Sequence, residues 1–164
     1  MDKTMIINPR FFYKVYEGKG FTVSRRFTGV ASKASVDFYF ENPSGSEVDV
    51  FMIAMEITAL ASCHIDIYRN NTVTATGTSV TPVNLNFSSA KASVVQAEYG
   101  GTYTLGNLVK QTICPGGSKK EAIGGLASVG ENVVIPPGNN FLVRITNISD
   151  AATDISVEIL WWEE

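Results

Sequence analysis

The stretch NVVIPPGNNFLVRITNISDAATDISVEILWWEE, residues 132–164, decides the fold class. Phe141, Val143 and Ile145 alternate with Leu142, Arg144 and Thr146; Ile155, Val157, Ile159 and Trp161 alternate with Ser156, Glu158, Leu160 and Trp162. A period of two sends successive side chains to opposite faces, which is the mark of a β-strand. Pro136, Pro137 and Gly138 supply a turn ahead of the first strand. The two segments read as an antiparallel hairpin with a loop-like connection over residues 147–154. Trp161 and Trp162 must then face opposite ways, one into the core and the other onto an edge or an interface.

The same pattern extends upstream. Val36, Phe38 and Phe40 alternate with Asp37, Tyr39 and Glu41, and the turn ENPSGSE (41–47) ends that strand. Residues 50–61 are apolar at nearly every position except Glu56 and Thr58, so alternation fails there. Both faces of that segment are expected to be covered, as in a central strand or one beneath a subunit interface. Ile65 and Ile67 face away from His64, Asp66 and Tyr68, and further short strands are expected at 80–87, 92–98 and 108–114. The Gly- and Ser-rich loop PGGSKKEAIGGLASVG (115–130) is expected to be mobile or to contact a partner. No segment makes a convincing amphipathic helix; residues 119–123 are too short and too close to glycines. Eight or more short strands predict an all-β fold, an antiparallel two-sheet β-sandwich of jelly-roll type with an N-terminal arm. Strand order does not follow from the pattern.

At 164 residues the chain fits one domain, and folding at this size hides roughly 70% of the extended chain's surface. A composition of 45% hydrophobic and 18% charged residues is too apolar for disorder and too interrupted by charge for a membrane span. The net charge of −3 is unevenly distributed. Residues 1–34 carry seven Lys or Arg and two acids, a net +5, whereas the remainder carries six and fourteen, a net −8. We therefore divide the chain into residues 1–34, an N-terminal arm or first strand, and residues 35–164, the sandwich.

Catalytic chemistry finds no footing in the residues. His64 is the only histidine, and its neighbour Cys63 points to the opposite face of a strand, so the two cannot form a nucleophile–base dyad. Zinc needs about four ligands with close pairs, and neither Cys63 nor Cys114 has such company. PGGSKK lacks the order of a phosphate-binding loop. We expect no enzyme activity, no catalytic residues, no metal and no cofactor. The acidic body argues against direct nucleic-acid binding, and no membrane association is expected.

Three segments carry a resemblance: ENPSGSEVDVFMIAMEI (41–57), IDIYRNNTVTATGTSVTPVNLNFSSA (65–90) and VIPPGNNFLVRITNISDAATDISVEILWWEE (134–164). The order of an NPSGS turn, a TPVNLN segment, a PPGN turn before a strand and a closing W.E resembles a group of tailed-phage virion proteins. Those are β-sandwich components of the particle exterior: head decoration (cement) proteins, head fibres or tail-associated modules. The resemblance implies a non-enzymatic capsid decoration protein, made in the host cytoplasm and located on the virion exterior. Its partners would be the major capsid protein and copies of itself, as a homotrimer. A carbohydrate-binding sandwich of a fibre or adhesion module is the alternative. Such a role needs interface area, which Phe11, Phe12, Tyr13, Tyr16, Phe21, Arg25, Arg26, Phe51, Ile53 and Trp162 are expected to provide.

Overall fold

A computed structural model of the chain describes residues 9–117, 125–128 and 133–164. Among them, one helix, α1 (Pro9–Tyr16), precedes fourteen strands. These are β1 (Gly20–Val30), β2 (Ser35–Asn42), β3 (Val50–Ala59), β4 (Cys63–Arg69), β5 (Thr72–Ala75), β6 (Thr78–Val80), β7 (Val83–Asn84), β8 (Gln96–Tyr99), β9 (Thr102–Thr104), β10 (Asn107–Cys114), β11 (Gly125–Ser128), β12 (Val133–Ile135), β13 (Asn139–Asn147) and β14 (Thr153–Glu163). Two antiparallel sheets pack face to face as an all-β sandwich, and β5 and β9 form a small separate ribbon.

The pairing is nested from the outside of the chain inward. β1 lies against β14, β2 against β13, β3 against β12, and β4 against β10. The first sheet runs β11-β3-β14-β1-β7 with β12 also on β3; the second runs β10-β4-β13-β2-β8-β6. This corrects the expected hairpin at the C-terminal end: β13 and β14 belong to different sheets. Asn147 makes the crossover. Its side chain is buried, and its Nδ2 donates to the carbonyls of Val30, Ala31 and Ala151 while its Oδ1 accepts from the Ser149 amide and hydroxyl. Those bonds satisfy the backbone groups exposed where the chain leaves one sheet for the other. At the other end of β13, Gly138 takes a φ of 79° in a turn closed by the Asn139 amide on the Pro136 carbonyl, a conformation suited to Pro then Gly at its centre.

The failed alternation of residues 50–61 has a local cause. Opposite β3, the register passes from Ala54↔Leu160 to Met52↔Trp161, so Ile53 is the extra residue of a β-bulge. The buried set Val50, Met52, Met55, Ile57 and Ala59 therefore changes parity mid-strand, and β3 is an internal strand. The core itself is aromatic at its centre. The Trp161 ring stacks on Phe21 at 6.0 Å and meets Phe40 edge-on at 5.1 Å, and Phe40 stacks on Phe141 at 4.8 Å.

Of residues 1–34, expected as an arm or a first strand, the described residues 9–34 hold α1 and β1. Gly20–Val30 is an internal strand between β14 and β7, and Phe21, expected at an interface, is 0% exposed. α1 was not expected either. Its eight residues give only two turns, too few for a periodic signal, though Pro9 stands where a helix start favours proline. Further along, the expected strand at 80–87 resolves into the short β6 and β7 followed by a turn, and the one at 92–98 begins only at Gln96. Of the loop 115–130, residues 118–124 and 129–130 lie outside the described residues, including the segment 119–123; Gly125–Ser128 adds a strand to β3.

Candidate assembly surface

α1 is amphipathic, and its two sides do different things. Arg10 and Lys14 face the body: the Arg10 guanidinium lies 4.9 Å and the Lys14 ammonium 5.2 Å from the Trp162 ring centroid. Lys14 Nζ also donates to Glu164 Oε1 at 2.7 Å. Under this cover Trp162 stacks on Phe51 at 3.9 Å and is only 4% exposed. Trp162 is thus not offered to a partner as expected, because the chain's own helix covers it. Arg10, Phe51, Ile53 and Trp162 do come together, around a hollow of about 260 Å³; Phe51 and Ile53 are half-buried.

The other side of α1 is bare. Phe12, Tyr13 and Tyr16 are 68%, 64% and 77% exposed, and Phe12 meets Tyr13 edge-on at 6.4 Å. Phe11 is half-buried. Across a groove of about 570 Å³ stands Phe87, 90% exposed, with Leu85 and Val15 in the floor and walls. Sequence reading placed Phe87 at the end of a strand and missed it. The available signal was its flanks: Asn84 Oδ1 accepts from the Asn86 amide and Asn86 Oδ1 from the Ser88 amide, a pair of Asx turns that hold residues 84–88 in a fixed shape. Asn86 Nδ2 donates to the Tyr16 carbonyl at 2.9 Å and Asn84 Nδ2 to the Gly18 carbonyl at 2.9 Å, tying this loop to the end of α1. The aromatic groups are therefore carried on elements braced against each other.

Part of the charge of the described residues 9–34 is met within the chain. Arg10 and Lys14 reach Glu164, Lys14 and Lys19 reach Glu17, and Lys33 reaches Asp150. Arg25 is half-buried with its guanidinium 4.1 Å from the Tyr99 ring centroid, and Arg26 is exposed beside Asp154 at a separate hollow. Neither joins the aromatic groove. Cys63 is buried and His64 exposed on opposite faces of β4, and burial pushes the Cys63 thiol up to about 11, with the facing Cys114 adding to it. A thiol so shifted stays protonated and unreactive at neutral pH. Among the described residues no group of three His, Cys, Asp or Glu side chains is placed to hold a metal ion.

Comparison with known proteins finds no matching family model and no matching curated sequence.

Hydrogen bonding to Lys14 holds the Glu164 carboxyl below its usual range, and the same bond holds the Lys14 ammonium above its own. The Glu164 contribution to α1 docking is present above the ordinary carboxylate value and is lost as pH falls through the lowered one. The Lys14 contribution is present below the ordinary lysine value and is lost as pH rises through the raised one. In a Trp161→Phe protein, which keeps one tryptophan, the Trp162 emission should shift to the red on acidification below about pH 4 while the far-ultraviolet β signal persists. An emission maximum that moves only together with loss of the β signal would show that α1 does not undock on its own.

Proposed function

We propose that this protein is a non-enzymatic structural component of a phage particle, a capsid decoration protein on the virion exterior. It binds the major capsid protein and copies of itself, as a trimer, through the groove between α1 and residues 85–88. The observation that carries this reading is the set Phe12, Tyr16 and Phe87, three exposed large aromatics around one groove on a braced surface, with Tyr13 exposed beside Phe12. Exposed apolar patches mark interaction sites, and aromatic anchors supply much of an interface's affinity. The nested strand pairing supports a jelly-roll reading, an architecture used in viral capsid proteins and also in lectins. The sequence resemblance over residues 41–164 favours the first of these contexts.

Carbohydrate binding is less well supported. A sugar platform needs ring faces open to solvent, yet the coplanar pairs here cover one another. Tyr39 stacks on Tyr103 at 5.3 Å and is itself buried, and Phe51 is stacked on Trp162. Burial raises the hydroxyl pKa of both tyrosines, and each donates to a glutamate, Tyr39 to Glu41 and Tyr103 to Glu98.

Light scattering of the isolated protein and a particle-binding assay test the proposal. Phe12→Ser, Tyr16→Ser and Phe87→Ser should each leave the melting temperature nearly unchanged, since the side chains are exposed. Each should weaken association by about 2 kcal/mol, roughly thirtyfold. Unaltered association in all three variants would remove this surface from the assembly.

A further inference from the structure

At one margin of the sandwich the two sheets part. β3 and β12 of the first sheet face β4, β10 and the start of β13 across a cavity of about 420 Å³, within the usual range of small-molecule sites, about 300–1,000 Å³. Its inner wall is core: Met52, Met55, Ile67 and Phe141 are all buried residues of the hydrophobic cluster. Val109 and Val133 continue the apolar lining outward and are 59% and 41% exposed. Val109 reaches this place because the β10–β4 register skips it, pairing Leu108 with Tyr68 and Lys110 with Ile67. The result is an apolar hollow open to solvent whose floor is formed by core side chains.

The mouth is basic. Arg69 and Lys110 line it, both exposed, and no Asp or Glu is among the described residues that do. The side chains of Arg69 and Lys110 have no ion pair or hydrogen bond among the described residues, unlike Arg10, Lys14, Lys19, Lys33 and Arg144, which each have an acid within 4.0 Å. An apolar hollow with two uncompensated cations at its opening complements a molecule with a hydrocarbon tail and a small anionic head. Arginine favours a carboxylate, which it can grip through two parallel hydrogen bonds. Two methionines on the wall suit a flexible chain, because their unbranched side chains adapt to irregular shapes.

We propose that this cavity binds a free medium-chain fatty acid, its alkyl chain against Met52, Met55, Ile67 and Phe141 and its carboxylate on Arg69 and Lys110. The site lies apart from the aromatic groove and does not rest on the assembly reading. Titration calorimetry on the full chain, with octanoate and decanoate below their micelle concentrations, provides the test. Both should bind with one-to-one stoichiometry, decanoate more tightly by about fourfold per added methylene. Decyltrimethylammonium, with the same tail and the opposite charge, should bind at least about tenfold more weakly. Arg69→Glu with Lys110→Glu should abolish that preference. Val109→Trp, at the exposed rim where folding is not at stake, should block entry of decanoate with an unchanged melting temperature. No binding of decanoate at millimolar concentration overturns the proposal. So does equal affinity for the cationic amphiphile, decanoate binding untouched by Val109→Trp, or binding to anionic phospholipid vesicles without binding of the free acid.

Discussion

A chain that starts at Ala34 should not fold cooperatively. It lacks β1, which is hydrogen-bonded to β14 along nearly its whole length and to β7 on its other side. Its loss strips Phe21, Val23 and Val30 from the core and turns β14 into an open edge. Removing a buried phenylalanine side chain alone costs about 3–5 kcal/mol, against a total stability of about 5–15 kcal/mol for a typical domain. A strand's further contributions exceed what remains. Circular dichroism melting is the measurement: the truncated chain should give a weak, non-cooperative signal. A sharp transition would restore the reading of residues 1–34 as a dispensable arm. A chain starting at Glu17, which removes α1 and the residues before it but keeps β1, should melt cooperatively, bind partners poorly and expose Trp162.

Trp161→Ala should destabilise the protein by about 3–5 kcal/mol, the range for deleting a buried indole. Trp161 is 0% exposed and stands between Phe21 of the first sheet and Phe40 of the second, so the cavity left behind spans both layers. Its Nε1 also donates to Glu163 Oε1 at 3.2 Å. That same oxygen accepts from Ser93 Oγ at 2.5 Å and from the Val94 amide at 3.2 Å, which fastens the segment leading into β8 to the end of β14. Glu163→Leu leaves the buried Trp161 Nε1 and the half-buried Ser93 and Val94 donors without this acceptor and should cost about 2–4 kcal/mol, an orphaned buried donor costing about 1–3 kcal/mol and the half-buried ones less. The two substitutions share a hydrogen bond, so the double variant should lose less than their sum. Urea denaturation midpoints with an unchanged m-value decide the matter; strict additivity would mean that the Trp161–Glu163 bond contributes nothing.

The candidate surface was legible only in part. Phe12, Tyr13 and Tyr16 stand out in sequence because they crowd a short basic segment, and they are exposed. Phe21 belongs to the same crowded segment and is core, because β1 turns that residue toward Trp161. An aromatic residue reads alike in either place when the partner strand is unknown. Trp162 was rightly assigned to the face opposite Trp161, yet what lies over it is α1, which is 146 or more positions distant in the chain. Phe87 was overlooked because its prominence comes from side-chain turns around Asn84 and Asn86 that tie it to α1.

Alternation along the chain determined that this protein is built of strands, which side chains share a face, and that Cys63 and His64 cannot meet. These are consequences of the two-residue repeat of an extended backbone, fixed by local covalent geometry. The tertiary structure decided which strands are neighbours: β13 and β14 part into separate sheets, β1 becomes internal, and Ile53 bulges opposite β14. Backbone N–H and C=O groups are the same on every strand and cannot encode a partner. Partner choice comes from the packing of whole faces, here around Trp161, Phe21, Phe40 and Phe141, which residues far apart in sequence complete only together.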